Sequence, residues 1–289
     1  MLRHFFLAAL AVLPGIAIAD GQPVTMWLAQ GESNRIYILG SVHLLRPQDH
    51  PLPGALEAAY DDAEALIMEL DMDDLDATRI QALTNQLGVI QDERTLRDFM
   101  APTDYEQAAR AAADLDIPFD MLQKTEPWFA AVTIEQLVLM RLGFNPMYGV
   151  EMHMTMKATQ DGKSIEGLET IDEQLSFLDG LSHEAQIDLL LQTLAEGGNV
   201  ASMMDDMIRA WRDGDIAYLE KNMLDDMSQY PELFDVIVSR RNQRWVRSIE
   251  ELLDDDDDYL IIVGALHLIG DIGVPALLAR RGVRIRQVE

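Results

Sequence analysis

Two matched segments carry the residues best suited to chemistry. Gly40-Ser-Val-His43 and Gly264-Ala-Leu-His267 each follow a short apolar run, and each is followed by aliphatic residues. Glycine after a buried strand lets the backbone turn sharply and approach a ligand closely. The histidine three positions on then stands at the carboxyl end of its strand. If the two strands are parallel neighbours, both imidazoles face one crevice, the usual binding place of an open α/β sheet. The alternative is a histidine that merely satisfies each strand end. The chain has only six histidines, so two in matched contexts favour a shared site.

Glu69 closes a third apolar run, over residues 66–70. A buried carboxylate is costly unless it is paired or holds a cation. His43, His267 and Glu69 together would suit a divalent metal with open positions, able to acidify a bound water. The sequence has no cysteine, so such a metal, whether manganese, cobalt, iron or zinc, would have to sit on this histidine and carboxylate set. A salt bridge from Glu69 to Arg240, Arg241 or Arg244 is the competing reading.

Further residues are weighed against blander roles. Arg241 and Asn242 fall on a helix predicted over about 236 to 253. There Asn242 could orient a ligand or a substrate carbonyl, and Arg241 could pair with Glu69 or stabilise an oxyanion. Glu169 precedes a helix starting near Thr170; it could support the site from behind, but an isolated Glu there reads better as a carboxylate favoured by the helix dipole. Trp128, close to Lys124, reads as core. Met152-His153-Met154-Thr155-Met156 offers thioethers and an imidazole, a donor set that suits copper(I). Residues i and i+2 do not share a helix face, however, so the run reads as Met-rich core. Asp71-Met-Asp73-Asp74-Leu-Asp76 is no EF-hand, because Asp76 stands at loop position six and Ala82 at position twelve. Ser41 and Ser182-His183 form no convincing nucleophile–base set, and neither G-x-S-x-G nor H-E-x-x-H is present.

The elements that must position these residues are legible in outline. Runs at 24–29 and 35–39 around Gly31-Glu-Ser-Asn34 predict a β-hairpin. Residues 51–65 carry a helical spacing, and 66–70 form a buried strand. The centre, about 74 to 255, is mostly helical, with one short strand candidate near 164–166. Residues 128–142 are apolar on nearly every face except at Glu135 and Arg141, which predicts a helix buried against several others. A buried strand at 259–263, a helix at 272–279 and a strand at 283–288 close the chain. The expected fold is α/β: a mixed central sheet from strands at both ends, around a large helical insert.

The 289 residues carry 22 Lys+Arg against 50 Asp+Glu, a net charge of −28. That acidity argues against nucleic acid as a partner, since phosphate is repelled. With 48% hydrophobic and 25% charged residues, the composition is globular rather than disordered. Residues 1–19 read as a secretory signal peptide: Arg3, an apolar stretch, then Ala17-Ile-Ala19 before a cleavage point. The expectation is therefore a periplasmic or secreted protein, a single domain over 20–289, without stable membrane insertion after cleavage.

The motifs fall in one order along the chain. Gly40-Ser-Val-His43, Met68-Glu69-Leu70-Asp71 and Gly149-Val-Glu151 come first. Gly167-Leu-Glu169-Thr170 with Gln174, Trp211 with Gly214-Asp215, Arg241-Asn242, and Val263-Gly264-Ala-Leu-His267 with Gly270 and Gly273 follow. In this set the chain resembles the TraB/GumN family, which includes the Tiki-type metal-dependent proteases. Ser41 stands where many relatives have Thr, and Glu151 where relatives often have Asp. The resemblance implies a mixed α/β fold whose paired G-x-x-H motifs build one site, and metal-dependent peptide hydrolysis. It brings Glu151 beside Glu69, Arg241 and Asn242 among the expected catalytic residues, with His43, His267 and Glu69 as expected ligands. The substrate would be a peptide or small molecule. A non-catalytic periplasmic protein binding haem, a peptide signal or a saccharide is the alternative from another class.

Overall fold

The computed structural model describes residues 23–289 apart from 225, 226 and 228. The signal segment expected at residues 1–19 lies outside the described residues. Six strands form one mixed sheet in the order β4-β3-β5-β2-β1-β6. They are β1 (Met26–Gln30), β2 (Arg35–Ser41), β3 (Ala65–Leu70), β4 (Ile165–Glu169), β5 (Tyr259–Gly264) and β6 (Arg284–Gln287). β2, β5, β3 and β4 run parallel, while β1 pairs antiparallel with both β2 and β6.

The β1–β2 hairpin is fastened by Asn34, whose Nδ2 donates to the carbonyls of Leu252 (2.8 Å) and Asp257 (2.9 Å). β5 is buried along its whole length, as a central parallel strand covered on both faces must be. Its side chains alternate between two apolar cores. Leu260 and Ile262 face one, together with α1 (Gly54–Asp62), α5 (Val150–Asp161) and α8 (Val200–Arg212). Ile261 and Val263 face the other, against the Arg240–Leu253 and Val274–Arg280 helices. The sheet is thus the middle of three layers. Part of the helical insert packs on itself: α3 (Pro102–Asp114), α4 (Pro127–Arg141) and α7 (His183–Glu196) share a separate core around Ala108, Ala112, Ile134 and Leu190, while α2 (Ala77–Gly88) lies against α6 (Ile171–Asp179).

Three departures from the sequence reading have physical reasons. β4 comes from the middle of the chain and runs to Glu169, so the insert itself supplies an edge strand. α4 is buried at Ala130, Ala131 and Ile134, but its apolar surface is not covered throughout, since Leu137 and Met140 towards its end are 38% and 59% exposed. The helix expected from about 236 divides into a π-helical turn, Asp235–Ser239, and an α-helix, Arg240–Leu253. The wider turn alters the direction in which the first residues of the α-helix project.

Candidate functional site

The parallel pairing of β2 with β5 sets Ser41 opposite Gly264, so both G-x-x-H segments leave the sheet at one level. β3 flanks β5 on its other side and carries Glu69 to the same edge. Gly264 is where they converge. A Cβ there would stand 3.3 Å from Glu69 Oε1, 3.5 Å from His43 Nε2 and 3.7 Å from His267 Cδ2. Gly40 is required for another reason, because a Cβ would come within 2.7 Å of the Thr25 side chain. Its carbonyl accepts the Trp211 indole N–H at 2.6 Å, which explains why Trp211 belongs to the motif set.

His43 is set by α5. A Cβ on Gly149 would fall 2.0 Å from the His43 carbonyl oxygen, so only glycine lets the start of α5 pack this closely. The Val150 N–H then donates to the Val42 carbonyl at 3.1 Å. Glu151 follows in the first helical turn, where the dipole favours a carboxylate. Its Oε1 meets His43 Nδ1 at 2.7 Å and accepts the Ser41 hydroxyl. The negative charge of Glu151 pushes the His43 pKa up to about 10 despite the opposing cost of burial, with a smaller contribution from Glu69. The His43 side chain is 56% exposed, and solvent at that edge weakens the pairing without reversing it. Burial disfavours ionised Glu151, but His43 outweighs it and holds the carboxyl below its ordinary range.

Glu69 belongs to a second, buried network. Its Oε1 accepts the Gly264 N–H at 2.7 Å, and its Oε2 accepts from Arg241 Nη2 at 2.5 Å and Gln174 Nε2 at 3.1 Å. Burial opposes the charge, yet the positive surroundings bring the pKa down to about 2. His267 contributes to that only when protonated, so near neutrality Arg241 is the main holder of the charge. Arg241 spends every donor it has. Nε reaches Glu169, Nη1 reaches the Ile237 carbonyl and His267 Nε2 (each 3.1 Å), and Nη2 reaches Glu69 and Glu169. Glu169 also accepts the Trp245 indole N–H at 3.0 Å and an Arg244 guanidinium N–H.

The His267 tautomer follows from its neighbours. Asn242 Nδ2 donates to the carbonyls of His267 (3.2 Å) and Ile272 (2.9 Å), so Asn242 Oδ1 is an acceptor. It takes the Nδ1–H of His267 at 2.7 Å. The remaining lone pair, on Nε2, accepts from Arg241. Burial drives the His267 pKa down to about 3, so the ring is neutral. It packs against Trp245 with centroids 4.5 Å apart.

This arrangement corrects the expected metal. Among the described residues no group of three or more His, Cys, Asp or Glu side chains could hold a metal ion. His267 and Glu69 present their electron pairs to the Arg241 guanidinium, and His43 Nδ1 is engaged by Glu151. A divalent manganese, cobalt, iron or zinc ion would meet a fixed positive charge where its ligands should face it. Arg241 is the counter-ion of Glu69, as the salt-bridge reading had it. His43, Glu69, Glu151, Arg241, Asn242 and His267 are nevertheless brought together, though not as a metal centre.

The sequence reading placed Ser41, Glu169 and Gln174 in the motif set but did not count them among the expected site residues. Glu169 is no dipole-favoured surface carboxylate, because its side chain is fully buried among Arg241, Arg244 and Trp245. One signal was available: like Glu69, it ends a short strand. Lys124 instead holds a loop, donating to the carbonyls of Asp92 and Arg94, and Trp128 is core as expected. A crevice of about 270 Å³ opens beside the cluster, lined by His43, Glu69, Glu151 and Gln174 with Met68, Leu70, Met72, Pro146 and Met152. The lining combines ionisable and amide side chains with the thioethers of Met68, Met72 and Met152.

The family model described as the TraB/PrgY/gumN family matches residues 25–287. The chain is 22% identical over 246 residues to "Uncharacterized protein YbaP" of Escherichia coli (strain K12), covering 85% of this chain and 88% of that protein. It is 23% identical over 242 residues to the protein of the same name from Shigella flexneri, covering 84% and 87%. No solved structure matches the chain.

Proposed function

The chain belongs to the TraB/PrgY/gumN family, and on that premise we propose that it is an exported, peptidase-like hydrolase whose acid–base chemistry runs on its own side chains. The observation that carries the reading is the convergence of Glu69 Oε1 and His43 Nε2 over Gly264. Two groups whose environments drive their pKa values apart mark an acid–base pair. Here Glu69 stays ionised down to about 2 and His43 stays protonated up to about 10. Glu69 is the base that takes a proton from a hydrolytic water over Gly264. His43, oriented by Glu151, is the acid that protonates the leaving amine or alkoxide. Arg241 keeps Glu69 ionised, and Asn242 holds His267 in the tautomer that accepts from Arg241.

Peptide hydrolysis is the part of the Tiki-type resemblance that this reading keeps, and its metal dependence is set aside. Export rests on residues 1–19, and N-terminal sequencing of the purified protein should begin at Asp20. The decisive experiment is a peptide-library digest with a chelator present. Wild type is expected to cleave, while Glu69→Gln and His43→Ala each lose at least about a hundredfold, the scale of general acid–base catalysis. Absence of cleavage, or cleavage that the chelator abolishes, contradicts the reading. One observation favours a second reading, a non-catalytic binding protein: Arg241 already satisfies Glu69, Glu169 and His267. A ligand that co-purifies, is lost in His43→Ala and is never turned over would support it.

A further inference from the structure

An open cavity of about 570 Å³ lies at Pro47, His50, Met147, His153 and Met156, with Glu57 and Lys157 at its margin. It shares no lining residue with the crevice at His43. Its four sulfur and imidazole side chains come from three places. His50 follows a short 3-10 turn, Met147 lies in the Pro146–Tyr148 turn, and His153 and Met156 are three residues apart on α5. Residues i and i+3 share a helix face. The objection to the Met152–Met156 run, that neighbours two apart diverge, does not apply to this set. Met147 and Met156 are 54% and 59% exposed, so their thioethers are not consumed by core packing.

Hydrogen bonds orient both rings. His50 Nε2 lies 2.8 Å from the Tyr148 carbonyl oxygen, which can only accept, so that nitrogen carries the proton. His153 Nε2 lies 3.0 Å from Glu57 Oε1, a carboxylate oxygen, and carries its proton likewise. With the proton on Nε2, the ring nitrogen left to offer a lone pair is Nδ1. A ring N–H given to a carbonyl or a carboxylate is the arrangement that typically fixes metal-ligating histidines. The two rings are 5.6 Å apart between centroids. The turn that bears Met147 also supplies the Tyr148 carbonyl, and Asn145 Oδ1 pins that turn through the Met147 N–H at 2.9 Å.

We propose that this cavity binds a soft monovalent cation, copper(I), through the thioethers of Met147 and Met156 and the Nδ1 atoms of His50 and His153. Sulfur and imidazole donors select copper(I) over hard cations. Sets of three His, Cys, Asp or Glu are absent among the described residues, and here thioethers supply the remaining donors. Nearby charge favours a cation, since Glu57 and Asp61 share the single ammonium of Lys157. The assignment is independent of the hydrolytic reading.

The test is anaerobic titration of the purified full chain with copper(I) in competition with bicinchoninate, followed by X-ray absorption at the copper edge. One ion per chain is expected, with both sulfur and nitrogen scatterers. His50→Ala/His153→Ala should abolish uptake. Met147→Leu/Met156→Leu, which keeps the volume but removes sulfur, should weaken it at least about tenfold, and Glu57→Gln by about 10–100-fold through the loosened His153 ring. His43→Ala and His267→Ala should leave it unchanged, and circular dichroism checks that each variant is folded. No uptake by wild type, equal affinity in the histidine double variant, or scattering from nitrogen and oxygen alone overturns the proposal.

Discussion

Arg241 decides what the candidate site is. It is the buried cation on which Glu69, Glu169 and His267 all depend. Removing one partner of a buried, hydrogen-bonded ion pair costs about 3–5 kcal/mol, because the other is left uncompensated. Glu169→Ala is therefore expected to lower unfolding free energy by that amount in urea titrations. Loss of the half-exposed Arg244, which shares Glu169, should cost about 1 kcal/mol or less. The same residues set the dependence of stability on pH. His43 is raised from 6.5 to about 10, so its contribution is complete below 6.5 and is lost as pH climbs through 10. His267 is lowered from 6.5 to about 3 and Glu69 from 4.5 to about 2. Their contributions are complete above 6.5 and above 4.5, and disappear as pH falls through 3 and 2. Urea midpoints measured across pH should fall on both sides, with the alkaline fall flattened in His43→Ala. An unchanged alkaline fall in that variant would contradict the Glu151–His43 pairing.

At the scale of elements, the site is a consequence of two packing contacts at strand ends. One is the seating of α5 on the exit of β2. Gly149→Ala places a methyl group against the His43 carbonyl and should push the helix away. The expected loss is about 1–3 kcal/mol of stability, together with the Glu151–His43 contact, visible as a fall in the His43 pKa by NMR titration. The other is the burial of β5 between two cores, where Ile262→Ala should cost about 2–5 kcal/mol. Much of this framework was legible in the sequence. Apolar runs of strand length, each ended by glycine or a carboxylate, located β2, β3 and β5 and put His43, Glu69 and His267 at their ends. The π-helical turn before Arg240 was not legible, because its local pattern is that of any amphipathic helix. Glu169 was left out of the expected site residues because its partners lie 72 and 75 residues away. The choice between a metal and Arg241 was beyond the pattern too, since either one can balance a buried carboxylate.

Across the whole molecule, the net charge of −28 does not come from the site. Glu69, Glu151 and Glu169 are matched there by Arg241, Arg244 and His43. The excess lies elsewhere, in places such as Asp254, Asp255 and Asp256, which are exposed. Such a surface attracts cations from a distance, an effect that salt screens beyond about 8 Å at physiological ionic strength. Hydrolysis of basic peptides should therefore slow in kcat/KM as salt rises, while neutral peptides of equal length should not. Among the described residues no helix is long and apolar enough to cross a membrane. Glu69 and His43 are proposed to form an acid–base pair that works without a metal. Its most direct test is the pH profile of kcat/KM on a cleaved peptide, with chelator present throughout. A plateau across neutral pH is expected, with a decline as His43 loses its proton near 10. A rate that needs added metal, or one that climbs through the alkaline range, would contradict it.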